Sequence, residues 1–401
     1  MVGDDKTQEG FDPDFYRSAY TDLRTLDESK LVEHWRHSGR PEGRFGDRAA
    51  LAGAFAKEGL SLAAFDGEFY LGRYPDLRSG SIDSGDRAAI HYLTSGRFEG
   101  RQANAGEEMP VVELGQSFIT RTEWTERAAQ MRTSSGLPGQ RQTFTAVACA
   151  GSADPAENVH PGSAPKAVVL ASLYRSIDHL DVYLGNLVEQ TAFAECDVCI
   201  VSVDPVPAES ELIAAFDAAF ANVHVHLSET RIGIYEAWNI AASMSDAPYL
   251  TNANADDLRR RDSLEVQIAG LDRNPLADVV FQDIYLTFDP SMTWEQIVAM
   301  GLRTDFPEAS LATLLQGLNV PHCGPMWRRS LHDELGGFDE VFESAGDWDF
   351  WIRCADAGKT FLKLDETTVA YYANENGVSR RQDGPGFSEP AIVLDRYRHL
   401  L

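Results

Sequence analysis

Apolar and polar positions change their pattern at residue 166, and from there two kinds of stretch alternate. Short, nearly continuous apolar runs indicate strands that are covered on both faces. These runs are 166–174, 196–204, 223–228 and 247–257. Amphipathic stretches between them predict helices over 177–190, 208–220 and 234–244. Because strands that alternate with helices form a parallel sheet, we expect an α/β domain here.

The N-terminal part of the chain contains a repeat. FDPDFYRSAYTDL at 11–23 returns as FDGEFYLGRYPDL at 65–77, and HWRHSGRPEGR at 34–44 returns as HYLTSGRFEGR at 91–101. A Pro that follows a potential Asp cap opens the first helix of the first copy, and a Gly ends its second, so each copy predicts a helical hairpin. We interpret the dense aromatic residues as the core of a small module rather than as a sugar-stacking platform.

These patterns divide the chain into five parts. A segment rich in Gly, Ser, Pro and Ala separates the repeats from the α/β domain and predicts a linker with one possible helix. A terminal amphipathic helix is expected to dock on the domain or on a partner chain, with membrane contact as the lesser option. The parts are helical repeat 1 at 1–50, helical repeat 2 at 51–104, the linker at 105–165, the α/β domain at 166–381 and the C-terminal helix at 382–401.

The charge balance and the apolar content of the sequence limit the partners that the protein is expected to bind. The chain has 35 Lys and Arg against 62 Asp and Glu, a formal net charge of −27. Phosphate contacts need a basic face, so this balance argues against a nucleic-acid partner. The sequence has neither an apolar run of about 20 residues nor an apolar stretch near its N-terminus that would suggest a secretory signal. We therefore expect a cytoplasmic protein, at most peripheral at the inner face of a membrane.

Acidic and polar residues follow the predicted strands. The first strand ends at 172–174, the second at Asp204, and the fourth at Asn254, Asp256 and Asp257. Ligands of parallel sheets bind at these carboxyl ends. Adjacent carboxylates after a buried strand are costly unless a cation or hydrogen bonds hold them, and their oxygens suit Mg²⁺ or Mn²⁺. The alternative that one of these carboxylates caps a following helix stays open.

A second acidic cluster lies at GDWDFWIR, residues 346–353. On a helix this segment would place Asp347 near the N-terminus. A carboxylate is stabilised there as the anion, which suits a general base. Plain helix capping by Asp347 is the alternative.

Four features follow one another along this part of the chain. They are SLYRS at 172–176 with a helix ending in VEQTAF at 188–193, Asp204 at the end of the second strand, GIYEAWNIAASMSDAPYLTNANADD at 233–257, and GGFDEVFESAGDWDFWIR at 336–353. In these features and their order, residues 166–381 resemble glycosyltransferase family 2, which has the GT-A fold. The N-terminal repeats also resemble short modules attached to bacterial polysaccharide glycosyltransferases.

The resemblance implies a role for each matching residue. Asn254 and Asp256 would stand for the family's DxD motif, and Asp347 falls where the family places its catalytic base. The implied donor- or nucleotide-binding set is Ser172, Leu173, Tyr174, Asp204, Asn239, Asn254 and Asp256; the metal ligands would be Asp256 and Asp257; the acceptor side would hold Trp348, Asp349 and His322. A buried strand is an equally open reading of the segment around His322.

This sequence departs from the family at several points. The first Asp of DxD is Asn254, the Glu that often precedes the catalytic Asp is Gly346, and the Arg before Asn239 is Trp238. The late His that some members use as a metal ligand has no clear match. These changes leave room for an altered donor or for a site that depends little on metal. Arg231, Arg259, Arg260 and Arg261 are the cations near the expected donor end, and we expect at least two of them to be solvated.

The resemblance implies an inverting glycosyltransferase. Its donor would be a nucleotide-diphospho-sugar, with a UDP-sugar favoured, and its cofactor a divalent metal, Mn²⁺ or Mg²⁺. The acceptor would be a glycan or glycoprotein in bacterial surface polysaccharide or glycoconjugate assembly, and the repeats would allow self-association. Two other functions stay open: a non-catalytic nucleotide- or glycan-binding scaffold, and a hydrolase of sugar nucleotides.

Overall fold

The chain folds into two compact units. The computed structural model describes residues 10–74, 77, 82–96, 101–106, 110–111, 119–134, 136–137, 139–149, 164–374, 377–381 and 384–400. The described residues up to 126 form one unit, and those from 127 onward form the other. Each unit has a hydrophobic core of its own.

The first unit is helical, as the repeat predicted. Its first helix begins as expected, because the carboxylate of Asp12 accepts hydrogen bonds from the backbone N–H groups of Asp14 and Phe15 at 2.9 and 3.1 Å. Trp35–Gly39 and Tyr92–Gly96 continue two of the helices as π-helical turns. The α-helices are α1 (Pro13–Ala19), α2 (Glu28–His34), α3 (Arg48–Lys57), α4 (Gly67–Arg73) and α5 (Gly85–His91).

One tyrosine–histidine pair recurs in the two repeats. The hydroxyl of Tyr16 lies 3.0 Å from Nδ1 of His34, and that of Tyr70 lies 2.9 Å from Nδ1 of His91. Both tyrosines are fully buried. These aromatic residues therefore fill the core of the module, in agreement with the interpretation made from the sequence.

The stretch predicted as a linker contains regular structure. Strand β1 (Pro110–Val111) pairs antiparallel with β2 (Ile119–Thr120), and helix α6 (Arg121–Ser134) follows directly. A short helix, α7 (Phe144–Cys149), contributes Phe144 to the core of the second unit. Most of the stretch rich in small residues, 150–163, lies outside the described residues.

An eight-stranded sheet forms the centre of the second unit, which confirms the α/β prediction. Its strands run in the order β5-β4-β3-β6-β9-β8-β10-β7. The first four are mutually parallel and β10 is parallel to β8, whereas β9 and β7 are antiparallel to their neighbours. The strands are β3 (Ala167–Leu173), β4 (Cys196–Val203), β5 (Val223–Ser228), β6 (Tyr249–Asn252), β7 (Leu258–Arg259), β8 (Val279–Thr287), β9 (Met326–Arg328) and β10 (Phe361–Tyr372).

Helices connect these strands and pack on the sheet through one apolar face. In the helix after β3, Leu180, Leu184 and Leu187 are buried at the spacing of successive helical turns. The described part of the chain contains no helix long and apolar enough to cross a bilayer. The helices are α8 (Ile177–Val188), α9 (Pro207–Ala219), α10 (Ile234–Ser243), α11 (Ser263–Arg273), α12 (Trp294–Met300), α13 (Leu311–Leu315), α14 (Arg329–Leu335), α15 (Gly346–Asp356) and α16 (Pro385–Arg396).

The guanidinium group of Arg259 lies inside this unit, and its side chain is almost completely buried. It donates to the Thr251 hydroxyl at 2.8 Å and to the Asn252 carbonyl at 2.7 Å. On its other side it donates to Ser263 and Gln267 of α11, at 3.1 and 3.0 Å. A buried charge is tolerated when its donors are matched in this way. Arg259 thereby joins β6, β7 and α11.

The two arginines that follow lie in a different environment from the buried Arg259. Arg260 forms ion pairs with Asp262 and Glu366, and Arg261 is exposed. Only a planar guanidinium group can serve four acceptors on two sides, so position 259 requires arginine itself.

We expect Arg259→Lys to lower the free energy of unfolding by about 3 kcal/mol, because a lysine ammonium leaves buried acceptors unpaired. Arg261→Lys is the matched control and should leave stability within about 0.5 kcal/mol of wild type. Urea denaturation followed by tryptophan fluorescence measures both. Equal midpoints for the two variants would contradict this role of Arg259.

Candidate functional site

A turn of two adjacent acidic residues follows β6 at the carboxyl edge of the sheet. The Asp257 carboxylate is buried and accepts from the Asn254 amide at 2.9 Å, the Cys323 thiol at 3.0 Å and the Tyr372 backbone N–H at 3.1 Å. The residues after the turn form β7, and the next helix has no side-chain cap from either Asp. The helix-capping alternative is therefore not what the structure has.

Burial raises the pKa of both carboxylates. The pKa of Asp257 rises to about 7, through burial and then through the neighbouring charge of Asp256. The pKa of Asp256 is also raised by burial, against the hydrogen bond from its own backbone N–H and the charge of His179. Two adjacent carboxylates in such an environment are stabilised by a cation.

The two carboxylates differ in their readiness to bind a metal. The oxygens of Asp257 already accept three hydrogen bonds, so Asp257 suits a supporting role. Asp256 keeps more free coordination capacity. Among the residues that the structure describes, no three His, Cys, Asp or Glu side chains cluster as a metal site. The residues thus fit a cation held by one or two carboxylates and completed by ligand oxygens, a common arrangement for Mg²⁺.

A cation reaches this region from the segment predicted as a linker. The Nε of Arg141 donates to the Met292 carbonyl at 2.6 Å. Its Nη2 is buried and has no hydrogen-bond partner within the described chain. Burial lowers its pKa to about 10, whereas the charges of Asp289 and Asp257 act in the opposite direction. Neither Arg141 nor His179 could be found from the sequence, because no local pattern marks them.

The predicted nucleotide end lies where β3 and β4 stop. Tyr174 is 41% exposed, and the guanidinium carbon of Arg231 lies 5.1 Å from its ring centre. Arg175 donates to the Asp204 carboxylate at 2.8 Å and lies beside the same ring. Arg175 and Asp204 both have positive φ angles, 51° and 43°, a strained backbone that is common at functional sites.

The two other residues predicted at this end are less accessible than Tyr174. Leu173 is 2% exposed and belongs to the core, and Ser172 is half-buried. Tyr174 and Asp204 are brought together through Arg175, so an aromatic face and a carboxylate stand at one exposed edge. The nucleotide roles of all four residues stay predictions.

Asp347 lies in the first turn of α15, as the sequence predicted. Its carboxylate accepts from the Tyr235 hydroxyl at 3.0 Å and from the Asn319 amide at 2.9 Å. Burial raises its pKa, and these hydrogen bonds act in the opposite direction. The N-cap position belongs to Ala345, which makes no side-chain cap. The carboxylate is therefore held by side chains from two other segments.

The residues predicted on the acceptor side are largely engaged within the protein. The indole N–H of Trp348 donates to the Leu314 carbonyl at 3.2 Å. Asp349 is completely buried. His322, with φ of 25°, packs between Phe306 and Tyr371, and burial lowers its pKa to about 4. Their contact with an acceptor stays a prediction.

Asn239, predicted on the donor side, bonds to the loop that precedes α15. Its amide nitrogen donates to the Phe338 carbonyl at 2.9 Å and to the Glu340 carboxylate at 3.0 Å, and its oxygen accepts from the Phe338 N–H at 3.0 Å. In this structure the Asn239 side chain therefore fixes a loop; its donor role stays a prediction.

Packing explains the glycine at position 346. A Cβ atom there would lie 2.6 and 2.7 Å from ring atoms of Tyr235, the residue that donates to Asp347. A glutamate, which the family often has at this position, would displace that ring. Gly346 therefore preserves the contact between Tyr235 and Asp347.

We expect Gly346→Ala to reduce the free energy of unfolding by about 1–3 kcal/mol, because the new methyl group overlaps a buried ring. Gly233→Ala, at the start of the helix that carries Tyr235, is the control, since an added methyl group there meets no atom within 4 Å. Urea denaturation of both variants measures the difference. A Gly346 variant as stable as wild type would show that the ring moves freely.

Part of the second unit is similar in sequence to known proteins. Residues 170–336 match the family model described as Glycosyl transferase family 2. A PGL/p-HBAD biosynthesis glycosyltransferase of Mycobacterium bovis is 26% identical over 152 residues, 38% of this chain and 55% of that protein. The hyaluronan synthase of Pasteurella multocida is 23% identical over 205 residues, 51% of this chain and 20% of that protein. The chain thus spans less than two thirds of the length of these curated relatives.

A solved structure, that of residues 1–349 of TarS from S. aureus in complex with UDP, shares 17% identity with a TM-score of 0.44. The similarity covers 57% of this chain and 64% of the TarS chain in that structure. The family match covers β3 to α14 and all the residues of the acidic turn. Part of the α/β unit, residues 170–336, is therefore similar to glycosyltransferase family 2.

Proposed function

We propose that the protein is an inverting glycosyltransferase that moves a sugar from a nucleotide-diphospho-sugar to a hydroxyl group of an acceptor. The observation that carries this proposal is the Asp347 carboxylate, which Tyr235 and Asn319 hold at the start of α15, just beyond the stretch that matches family 2. A carboxylate with a raised pKa is a better general base than an ordinary aspartate.

The donor would bind along the carboxyl edge of the sheet. Tyr174 offers an exposed aromatic face to the base, and Asp204 offers a carboxylate to its polar groups. A UDP-sugar is the favoured donor in this proposal. Asp256, supported by Asp257, would hold a divalent metal that neutralises the diphosphate as it leaves. The free guanidinium nitrogen of Arg141 adds positive charge in the same region.

The chemical step would be a single displacement. Asp347 accepts the proton of the acceptor hydroxyl while that oxygen forms a bond to the anomeric carbon. The bond from this carbon to the diphosphate oxygen breaks at the same time, and the diphosphate leaves with the electron pair. Attack from the face opposite the leaving group inverts the anomeric centre.

The biological setting belongs to the same proposal. A glycan or glycoprotein acceptor and a role in surface polysaccharide or glycoconjugate assembly follow from the resemblance alone. We also propose a cytoplasmic site of action. The N-terminal repeats would serve self-association. Their aromatic residues are mostly buried, so any such contact would use their polar surface.

A non-catalytic scaffold is the second candidate, and Asn254 is the observation that favours it. Its amide donates to Asp257, so the residue at the first position of the DxD motif supports the turn rather than offering a carboxylate. A scaffold would bind nucleotide or glycan without turnover.

We expect Asp347→Asn to lower acceptor-dependent nucleotide release by at least about 100-fold, because an amide cannot accept the proton. The assay measures release from UDP-, GDP-, dTDP- and CMP-sugars with Mn²⁺, with and without a mixed glycan pool.

Wild-type turnover should also fall as the pH drops through the raised pKa of Asp347, because protonation removes the base.

Asp356→Asn is the matched control, since Asp356 is exposed on the same helix. It should keep wild-type turnover. Nucleotide release at the same rate with and without the glycan pool would indicate a hydrolase. Nucleotide binding without release would indicate the scaffold.

We expect Asp256→Asn to weaken Mn²⁺ binding in the presence of UDP by at least about tenfold, because it removes the carboxylate with the most open coordination. Calorimetric titration measures the affinity. Asp246→Asn, exposed before β6, is the control. Equal affinity in both variants would exclude Asp256 as a ligand and favour charge neutralisation by arginine.

A further inference from the structure

The C-terminal helix α16 contacts the turn that leads into α15 through a buried carboxylate. Glu389 is only 7% exposed. It accepts hydrogen bonds from three consecutive backbone N–H groups, those of Glu343, Ser344 and Ala345, each at 2.8 Å. Three converging N–H groups form an anion-binding nest, and here a side chain of the same chain fills it.

A second contact lies just beyond Asp347. Asp349 is completely buried, and its carboxylate accepts from Arg396 at 2.7 Å and from the Tyr397 hydroxyl at 2.8 Å. Arg353 of α15 donates to the other oxygen at 2.9 Å. Arg396 also donates to Asp339 at 2.8 Å, on the loop before the nest.

We propose that α16 is a clamp that positions Asp347, with Glu389 and Arg396 as positioning residues. The clamp holds the chain two residues before Asp347 and two residues after it. Asp347 meets Tyr235 and Asn319 only if the start of α15 stays in place, because those partners come from α10 and from the segment before β9. This role rests on the proposed function, since it concerns the base of that reaction.

The chemistry of the contact explains why a charged residue is needed at 389. Backbone N–H groups that lie inside a protein without an acceptor are costly. A carboxylate can accept from all three, whereas an amide offers one acceptor oxygen and places an N–H₂ group against the remaining donors. Glu389→Gln should therefore loosen the turn while changing the side-chain volume very little.

The helix supplies its own control. Asp395 lies on the exposed side of α16, and its partner Arg398 is also exposed, at 3.6 Å. Asp395→Asn removes one negative charge from the same helix without touching the nest. Tyr397→Phe removes a single hydroxyl from Asp349 and serves if Glu389→Gln fails to fold.

The experiment has two measurements on the full chain. Hydrogen exchange followed by mass spectrometry reports on the peptide that spans 343–349, and it does not depend on turnover. Steady-state kinetics with the nucleotide-sugar that wild type uses gives kcat and the donor KM. We expect Glu389→Gln to exchange faster in this peptide and to lose about 10- to 100-fold in kcat at unchanged donor KM. Tyr397→Phe should show a smaller loss, and Asp395→Asn should match wild type.

Two outcomes would overturn the clamp. In one, exchange of 343–349 is unchanged in Glu389→Gln, so Glu389 does not hold the turn. In the other, exchange rises while kcat stays at the wild-type value, so the turn does not position the base. Absence of turnover in wild type with every donor would overturn the proposed function instead, and the exchange data would still show whether Glu389 fixes the turn.

Discussion

The site depends on one constraint: the Asp347 carboxylate lies in a largely buried place and must be held there by polar groups. Burial alone would favour the protonated acid, and hydrogen bonds from Tyr235 and Asn319 stabilise the anion against it. The net effect is a raised pKa, so the Asp347 carboxylate is a stronger base than an exposed aspartate. Gly346 is part of this balance, because any side chain there would displace the Tyr235 ring.

In the acidic turn after β6, the buried carboxylate of Asp257 is stabilised by a different set of hydrogen bonds. Asp257 accepts hydrogen bonds from protein donors on both of its oxygens, and the buried Arg259, two residues later, has acceptors for its own donors. The Asp256 carboxylate keeps free coordination capacity for a metal ion. The turn thus holds Asp257 through hydrogen bonds and leaves the Asp256 carboxylate for a ligand. The Asn254 amide is one of the donors that hold Asp257, so its departure from the family's motif has a local reason.

Much of this could be predicted from the sequence because the signals are local. Apolar runs and amphipathic stretches gave the strands and helices from β3 to β6 within a few residues, and a parallel sheet necessarily brings Tyr174, Asp204 and Asp256 to one edge. Arg141, Asn319 and Glu389 could not be found in this way. Each reaches its partner across a long stretch of chain, and a single polar residue in a loop or on a helix has no periodicity to mark it. Arg259 was hidden differently, because three consecutive arginines look alike until the fold buries one of them.

The anomeric configuration of the product shows whether the sugar is transferred in a single displacement. A single displacement assisted by Asp347 has no covalent sugar–enzyme intermediate, so the bond formed must have the opposite configuration to the bond broken. Proton NMR of the first product, through the coupling constant of its anomeric proton, determines this configuration. A single displacement predicts inversion relative to the donor. A product with retained configuration would contradict it, because a single attack from the face opposite the leaving group cannot retain the configuration.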